Sequence, residues 1–174
     1  TLRADRLGFM GHTTARTPRI DALAAGGRAY TQATTPVPRT TPALASLQTG
    51  LAPDRHGARE VGEKMTVTTT LASSLADRGY TTVGISAMMV ASPAQNLDRG
   101  FRHFEVHHDS PADKLTETAL AQVKQAGDGP LYLWIHYADP HFPYLPPARW
   151  TDQPQAESCR KLGERATKGK LARY

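Results

Sequence analysis

Hydroxyl, imidazole and guanidinium groups mark two stretches of this chain where chemistry could occur. The first is Arg39-Thr40-Thr41-Pro42-Ala43-Leu44-Ala45-Ser46-Leu47-Gln48-Thr49-Gly50, continuing through Pro53 to His56-Gly57. A hydroxyl just ahead of a helix can be activated. The free N–H groups of the first turn hold an anion, and a nearby metal can lower the hydroxyl's pKa. Taken alone, Thr40 is more often a plain N-cap followed by Pro than a nucleophile. The second stretch is His136-Tyr137-Ala138-Asp139-Pro140-His141-Phe142-Pro143-Tyr144, which directly follows an apolar run. A histidine in such a place is more often structural than catalytic. His103, His107 and His108 form a third group, which reads as polar surface rather than a metal site.

The elements that must position these residues alternate between helix and strand. Thr17-Pro18 followed by Ile20, Leu23 and Ala24 predicts an N-capped helix stopped by Gly26-Gly27, then a short strand over 28–34. Leu44, Ala45 and Leu47 predict a short helix over 40–48, ended by Gly50. Thr70 caps a helix that runs through Leu71, Leu75 and Ala76 to Gly79. Residues 81–87 are strand-like, and 112–126 form a long helix with Leu115, Ala119, Leu120 and Val123 on one face. The run Leu131-Tyr132-Leu133-Trp134-Ile135 is the clearest strand, and its continuous apolarity predicts burial on both faces. Such alternation is the pattern of an α/β layered fold, in which functional residues gather at the carboxyl ends of the strands.

Several motifs, in order, give the chain a family resemblance. Thr49-Gly50 stand nine and ten positions after Thr40, with Pro42, Pro53 and His56-Gly57 in register. This resembles the nucleophile segment of sulfatase-like hydrolases of the alkaline phosphatase superfamily, with Thr40 in the nucleophile's place. Thr1-Leu2-Arg3-Ala4-Asp5-Arg6-Leu7-Gly8 is similar to the family's opening segment, and Thr17-Pro18-Arg19-Ile20-Asp21-Ala22-Leu23-Ala24 to its TPNLDxLA helix. Thr70-Leu71-Ala72 with Gly79-Tyr80-Thr81-Thr82 resembles TLAexLxxxGYxT, Arg99-Gly100-Phe101 resembles RGF, and residues 134–144 resemble WxHyxDPHxPY. The matches span about residues 1–150.

The resemblance implies an alkaline-phosphatase-like layered sheet between helices, incomplete at both ends. It implies a hydrolase or transferase for sulfate or phosphate esters that depends on a divalent metal (Ca, Mg, Mn or Zn). Thr40 would be the nucleophile and touch the metal through its hydroxyl. His141, with His136 as a second candidate, would reach the transferred group's oxygens. His56 would be a structural hydrogen-bonder behind the nucleophile. The family's first metal Asp would precede Thr1. Its later Asp-His pair would follow a YDxEI helix, with Tyr174 in the place of that helix's opening tyrosine. The isolated chain is therefore expected to be inactive and to bind metal poorly.

Two departures bear on the reaction. Sulfatases carry Cys or Ser at the nucleophile within Cys/Ser-x-Pro-x-Arg and oxidise it to an aldehyde hydrate. Here Thr40 and Leu44 stand at those positions, and Cys159 lies in an unrelated context. Threonine there resembles the nucleophile of the superfamily's phosphodiesterases, pyrophosphatases and phosphoethanolamine transferases, and so favours phosphate esters. Arg39 is the candidate to replace the missing Arg as a substrate-binding group. A non-catalytic sulfatase-like fragment or binding module is the alternative. A plain α/β esterase ranks last, since the chain has no Gly-x-Ser-x-Gly elbow.

Composition narrows the partners. The net charge of +5 is matched by the surplus within residues 160–174, where six Lys and Arg face Glu164 alone. A local basic tail of this kind is a solvated face rather than a nucleic-acid stripe, so no nucleic acid is expected. Nothing approaches the roughly 18 consecutive apolar residues of a membrane span, so no membrane segment is expected in this chain. A small-molecule, glycan or lipid anionic ester is the expected partner. One cysteine excludes an internal disulfide. The compartment is left open; a periplasmic or extracellular one agrees with the resemblance. Residues 1–174 read as one partial catalytic domain, with 151–174 as its basic, weakly patterned tail.

Overall fold

The computed structural model describes residues 2–142 and residue 161. The expected 151–174 tail, apart from Lys161, and the Pro143-Tyr144 end of the histidine motif lie outside the described residues. The chain forms two compact units, Thr1–Thr31 with Asp139–Tyr174, and Gln32–Ala138.

In the first unit, helix α1 covers Pro18–Ala25, with Pro18 supplying the preset φ of a first turn. Thr17 does not cap it with its side chain. Instead, the Thr17 hydroxyl accepts from the Gly8 N–H at 2.9 Å and donates to the Asp21 carboxylate at 3.0 Å. The Phe9 N–H also donates to Asp21, at 3.0 Å. Asp21 thus ties the helix to the segment before it. The predicted strand over 28–34 is not formed. Residues 28–34 are exposed coil with a turn at Thr31 and Gln32, because no described strand pairs with them.

The second unit is built on a three-stranded parallel sheet in the order β2-β1-β3. Strand β1 is Thr81–Ser86, β2 is His103–Val106 and β3 is Leu131–His136. Four helices complete the unit: α2 (Thr40–Thr49), α3 (Pro53–His56), α4 (Leu71–Ala76) and α5 (Ala112–Ala126). Parallel strands need crossovers, and α5 lies on the one that carries the chain from β2 across β1 to β3.

The strands' two-residue period sorts their side chains into two layers. On one face Val83, Ile85, Leu131, Leu133 and Ile135 pack against Leu115 and Ala119 of α5. The outer residues of α5, Leu120 and Val123, stay exposed, so the buried stripe is narrower than its apolar pattern. The other face carries a row of rings. Phe101 stacks on Tyr132 at 5.6 Å and meets Phe104 edge-on at 5.4 Å, while Phe104 and Trp134 lie 5.9 Å apart. Gly84 of β1 leaves the room for them: a Cβ there would sit 2.4 Å from a Phe104 ring carbon. Trp134 also packs on a second cluster, formed by Ala45, Ala58, Met65, Ala91 and Leu97 with Leu44 beside it. Fully buried side chains such as Met65, Ile85, Leu97 and Leu115 each contribute about 1.5–3 kcal/mol of transfer energy.

The strand buried on both faces is β1, and every residue of β3 is only half-buried. That corrects the expectation for 131–135. Central position decides burial, and here the smaller residues of β1 occupy the centre. The helix at 70 is capped as expected: Thr70 and Ser73 form a reciprocal capping box. The RGF turn fastens that cap to β1. Thr70 Oγ1 donates to Arg99 O and Thr82 Oγ1 to Gly100 O, both at 2.8 Å. Gly100 has φ +84°, and a Cβ on it would meet the Ser73 backbone nitrogen at 2.1 Å.

Candidate active site

Thr40 is the first residue of α2, with Arg39 as the N-cap in an extended conformation and no side-chain cap. Pro42 has no N–H, and the Ala43 N–H already bonds Arg39 O at 3.1 Å. The donors that the first turn presents are therefore the N–H groups of Thr40 and Thr41. Both stand at the positive end of the helix dipole.

Two contacts give α2 its direction on the sheet. Near its end, Gln48 Oε1 accepts from the Tyr132 hydroxyl at 3.4 Å. One turn earlier, Leu44 and Ala45 share a cluster with Trp134. Walking back along the helix thus advances along β3. The first turn of α2 meets the carboxyl end of the sheet, because the Thr41 hydroxyl reaches the loop that follows β1. His136 faces the same side as Trp134, with the two rings stacked at 5.7 Å.

The other sequence-derived residues fall as follows. Arg39 forms an ion pair with Glu60, and both side chains are more than half exposed. His141 is exposed and belongs to the first unit, where its Nδ1 bonds Phe142 O at 2.7 Å. His56 is fully buried. Its Nδ1 accepts from the Ala58 N–H at 3.2 Å, which leaves Nε2–H to face the Ser46 hydroxyl at 3.0 Å. Burial pushes the His56 pKa down, partly offset by the Pro42 backbone.

The histidine group on β2 is a polar surface network. His103 and His107 both bond Glu105, His107 at 2.7 Å, and Gln122 of α5 reaches Glu105 at 3.0 Å. The His103 bond, then burial in opposition and the His107 bond, leave the Glu105 carboxyl below the usual carboxylate range. His108 pairs with Asp109 instead. Among the described residues, no group of three His, Cys, Asp or Glu could hold a metal ion. The described residues alone therefore do not make a fitting divalent-metal site.

Sequence reasoning passed over Thr41, Glu60 and Gly62, which surround the start of α2. Gly62 has φ +87°, and the turn signal in Glu60-Val61-Gly62-Glu63 was the one local clue.

Comparison with known proteins first gives the fold. The fold resembles that of a protein in the alkaline phosphatase superfamily from Vibrio parahaemolyticus, with TM-score 0.66 and 20% identity over 98% of this chain and 47% of that one. It also resembles the phosphonate monoester hydrolase of Agrobacterium radiobacter, with TM-score 0.59 and 18% identity over 82% of this chain and 40% of that one. The Sulfatase family model matches residues 1–166, and the chain belongs to the sulfatase family. An arylsulfatase from Clostridium perfringens is 34% identical over 108 residues, 61% of this chain and 22% of that protein. Human arylsulfatase A is 40% identical over 83 residues, 44% of this chain and 16% of that protein. The chain thus spans less than a quarter of the length of these curated relatives.

Proposed function

We propose that the whole protein cleaves or transfers anionic esters with Thr40 as its nucleophile, and that it prefers phosphate over sulfate esters. The observation that carries this reading is a threonine at the first residue of α2, whose next residue bonds the loop that follows β1. Two backbone N–H groups and the helix dipole at that point favour the anionic group of a substrate. Thr40 Oγ loses its proton to solvent as it bonds phosphorus, the ester's leaving oxygen departs and takes a proton from solvent, and water later hydrolyses the phosphothreonine to free phosphate and the threonine hydroxyl. His136, at the end of β3, donates a hydrogen bond to the non-bridging oxygens. Sulfatase-family proteins are generally metal dependent. In this protein a divalent ion would supply charge neutralisation, through ligands beyond the described residues.

The preference for phosphate follows from the nucleophile. A sulfatase's aldehyde hydrate releases sulfate by elimination from its second hydroxyl. A threonine ester has no such exit and must await water, which phosphoryl intermediates receive more readily. The full-length protein should hydrolyse nitrophenyl phosphate or bis-nitrophenyl phosphate faster than nitrophenyl sulfate. A preference for the sulfate that disappears in Thr40→Ala would overturn it.

The second reading, a non-catalytic binding module, is favoured by the Arg39–Glu60 pair. That pair engages the one guanidinium next to Thr40 in sequence. Turnover of none of the three esters would support this reading.

A further inference from the structure

We propose that Thr41 is the positioning residue of the Thr40 nucleophile, an inference that rests on the reading of Thr40 given above. The Thr41 side chain is fully buried, although it follows a half-exposed residue at a helix start. Its hydroxyl is used in both directions. Oγ1 donates to Val90 O at 2.7 Å and accepts from the Gly62 N–H at 3.0 Å.

Threonine hydroxyls inside helices usually bond back to the carbonyl four residues earlier. Thr49, Thr116 and Thr118 do so here, to Ala45 O, Ala112 O and Lys114 O. Thr41 has no helical carbonyl behind it and reaches outward instead. Its two partners lie 49 and 21 residues away in sequence. One sits in the loop after β1, and the other in the turn after α3.

This is a clamp at the second residue of α2. A β-branched side chain has few χ1 choices, so pinning Oγ1 fixes the direction of the Cα–Cβ bond and the backbone it leaves. Thr40 is the adjacent residue, and the same turn that supplies Gly62 also supplies Glu60, the partner of its other neighbour, Arg39. The hydroxyl of Thr40 is thus aimed by a second hydroxyl that touches no substrate. A nucleophile displaced by about 1 Å loses on the order of a hundredfold in rate.

The test uses full-length protein and nitrophenyl phosphate, with Thr41→Val, Thr41→Ser and Thr40→Ala compared. Thr41→Val keeps the shape and removes both hydrogen bonds. It should lower kcat roughly tenfold to a hundredfold, with KM within about twofold. Thr41→Ser keeps the hydroxyl and should restore kcat to within a few-fold of the parent, despite its lost methyl group. A purely structural role would instead leave kcat per folded molecule unchanged, with folding followed by circular dichroism. Should Thr41→Val fail to fold, Thr41→Ala takes its place in the comparison. The proposal is overturned if the folded variant keeps its kcat, if only KM moves, or if Ser does no better than Val or Ala. Thr40→Ala separates the two claims. Turnover surviving that change removes the nucleophile reading and this proposal with it. Turnover lost in Thr40→Ala but intact in Thr41→Val removes the positioning role alone.

Discussion

At the scale of single residues, the region around α2 is organised by side chains that were chosen for geometry as much as for chemistry. His56 shows this. It is held neutral by burial, with its two ring nitrogens matched to Ala58 and Ser46, and its pKa lies below the ordinary value. The unfolded chain therefore binds more protons than the folded one between the folded pKa and about 6.5. Stability is present above pH 6.5 and is lost as pH falls through the folded pKa. This one group can contribute a slope of up to about 1.4 kcal/mol per pH unit in that window. Thermal melts from neutral to mildly acidic pH should fall more steeply for the parent chain than for His56→Gln. Equal slopes would mean that His56 is not titrating as its burial requires. The place of Thr40 at the start of α2, and of His56-Gly57 at the end of α3, was legible from the motif. Thr41 was not, because its two bonds close loops of tens of residues that no local pattern announces.

At the scale of elements, helices α4 and α5 and strands β1 and β3 were readable because caps and periodicity are local. Thr70 announces its helix by a box that needs only Ser73, and α5 begins and ends at Ala112–Ala126 as its pattern predicts. Strand β2 was missed. It is four residues long, and its alternation is His103-Phe104-Glu105-Val106, in which polar residues face α5 and join a hydrogen-bonded network. A short strand with charged inward neighbours looks like loop. The 28–34 segment failed in the opposite way, since strand-prone residues without a partner form no ladder. The burial of β1 and β3 was exchanged because an apolar run reports hydrophobicity and not position. Gly84 lets the Phe104 ring lie across the central strand. Gly84→Ala should destabilise the chain by about 1–3 kcal/mol, as overpacking does, and lower its melting temperature. A melting temperature equal to the parent's would show that the ring row is looser than this packing requires.

At the scale of the whole molecule, the family and the layered architecture were both legible, the first from motifs spread along the chain and the second from helix–strand alternation. The chemistry is distributed differently. The first turn of α2, the loop after β1 and the end of β3 belong to one compact unit, whereas His141 belongs to the other. The expected metal has no three-residue ligand group among the described residues, so the catalytic claim rests on Thr40. The most direct measurement is to trap the covalent intermediate. Full-length protein turning over bis-nitrophenyl phosphate or nitrophenyl phosphate would be acid-quenched and digested with trypsin, and the peptide covering residues 40–55 fragmented in a mass spectrometer. The account predicts a phosphoryl group on Thr40 that is present during turnover, fades when substrate is exhausted and is absent from Thr40→Ala. Active enzyme whose label sits on another residue, or whose turnover survives Thr40→Ala, would contradict it.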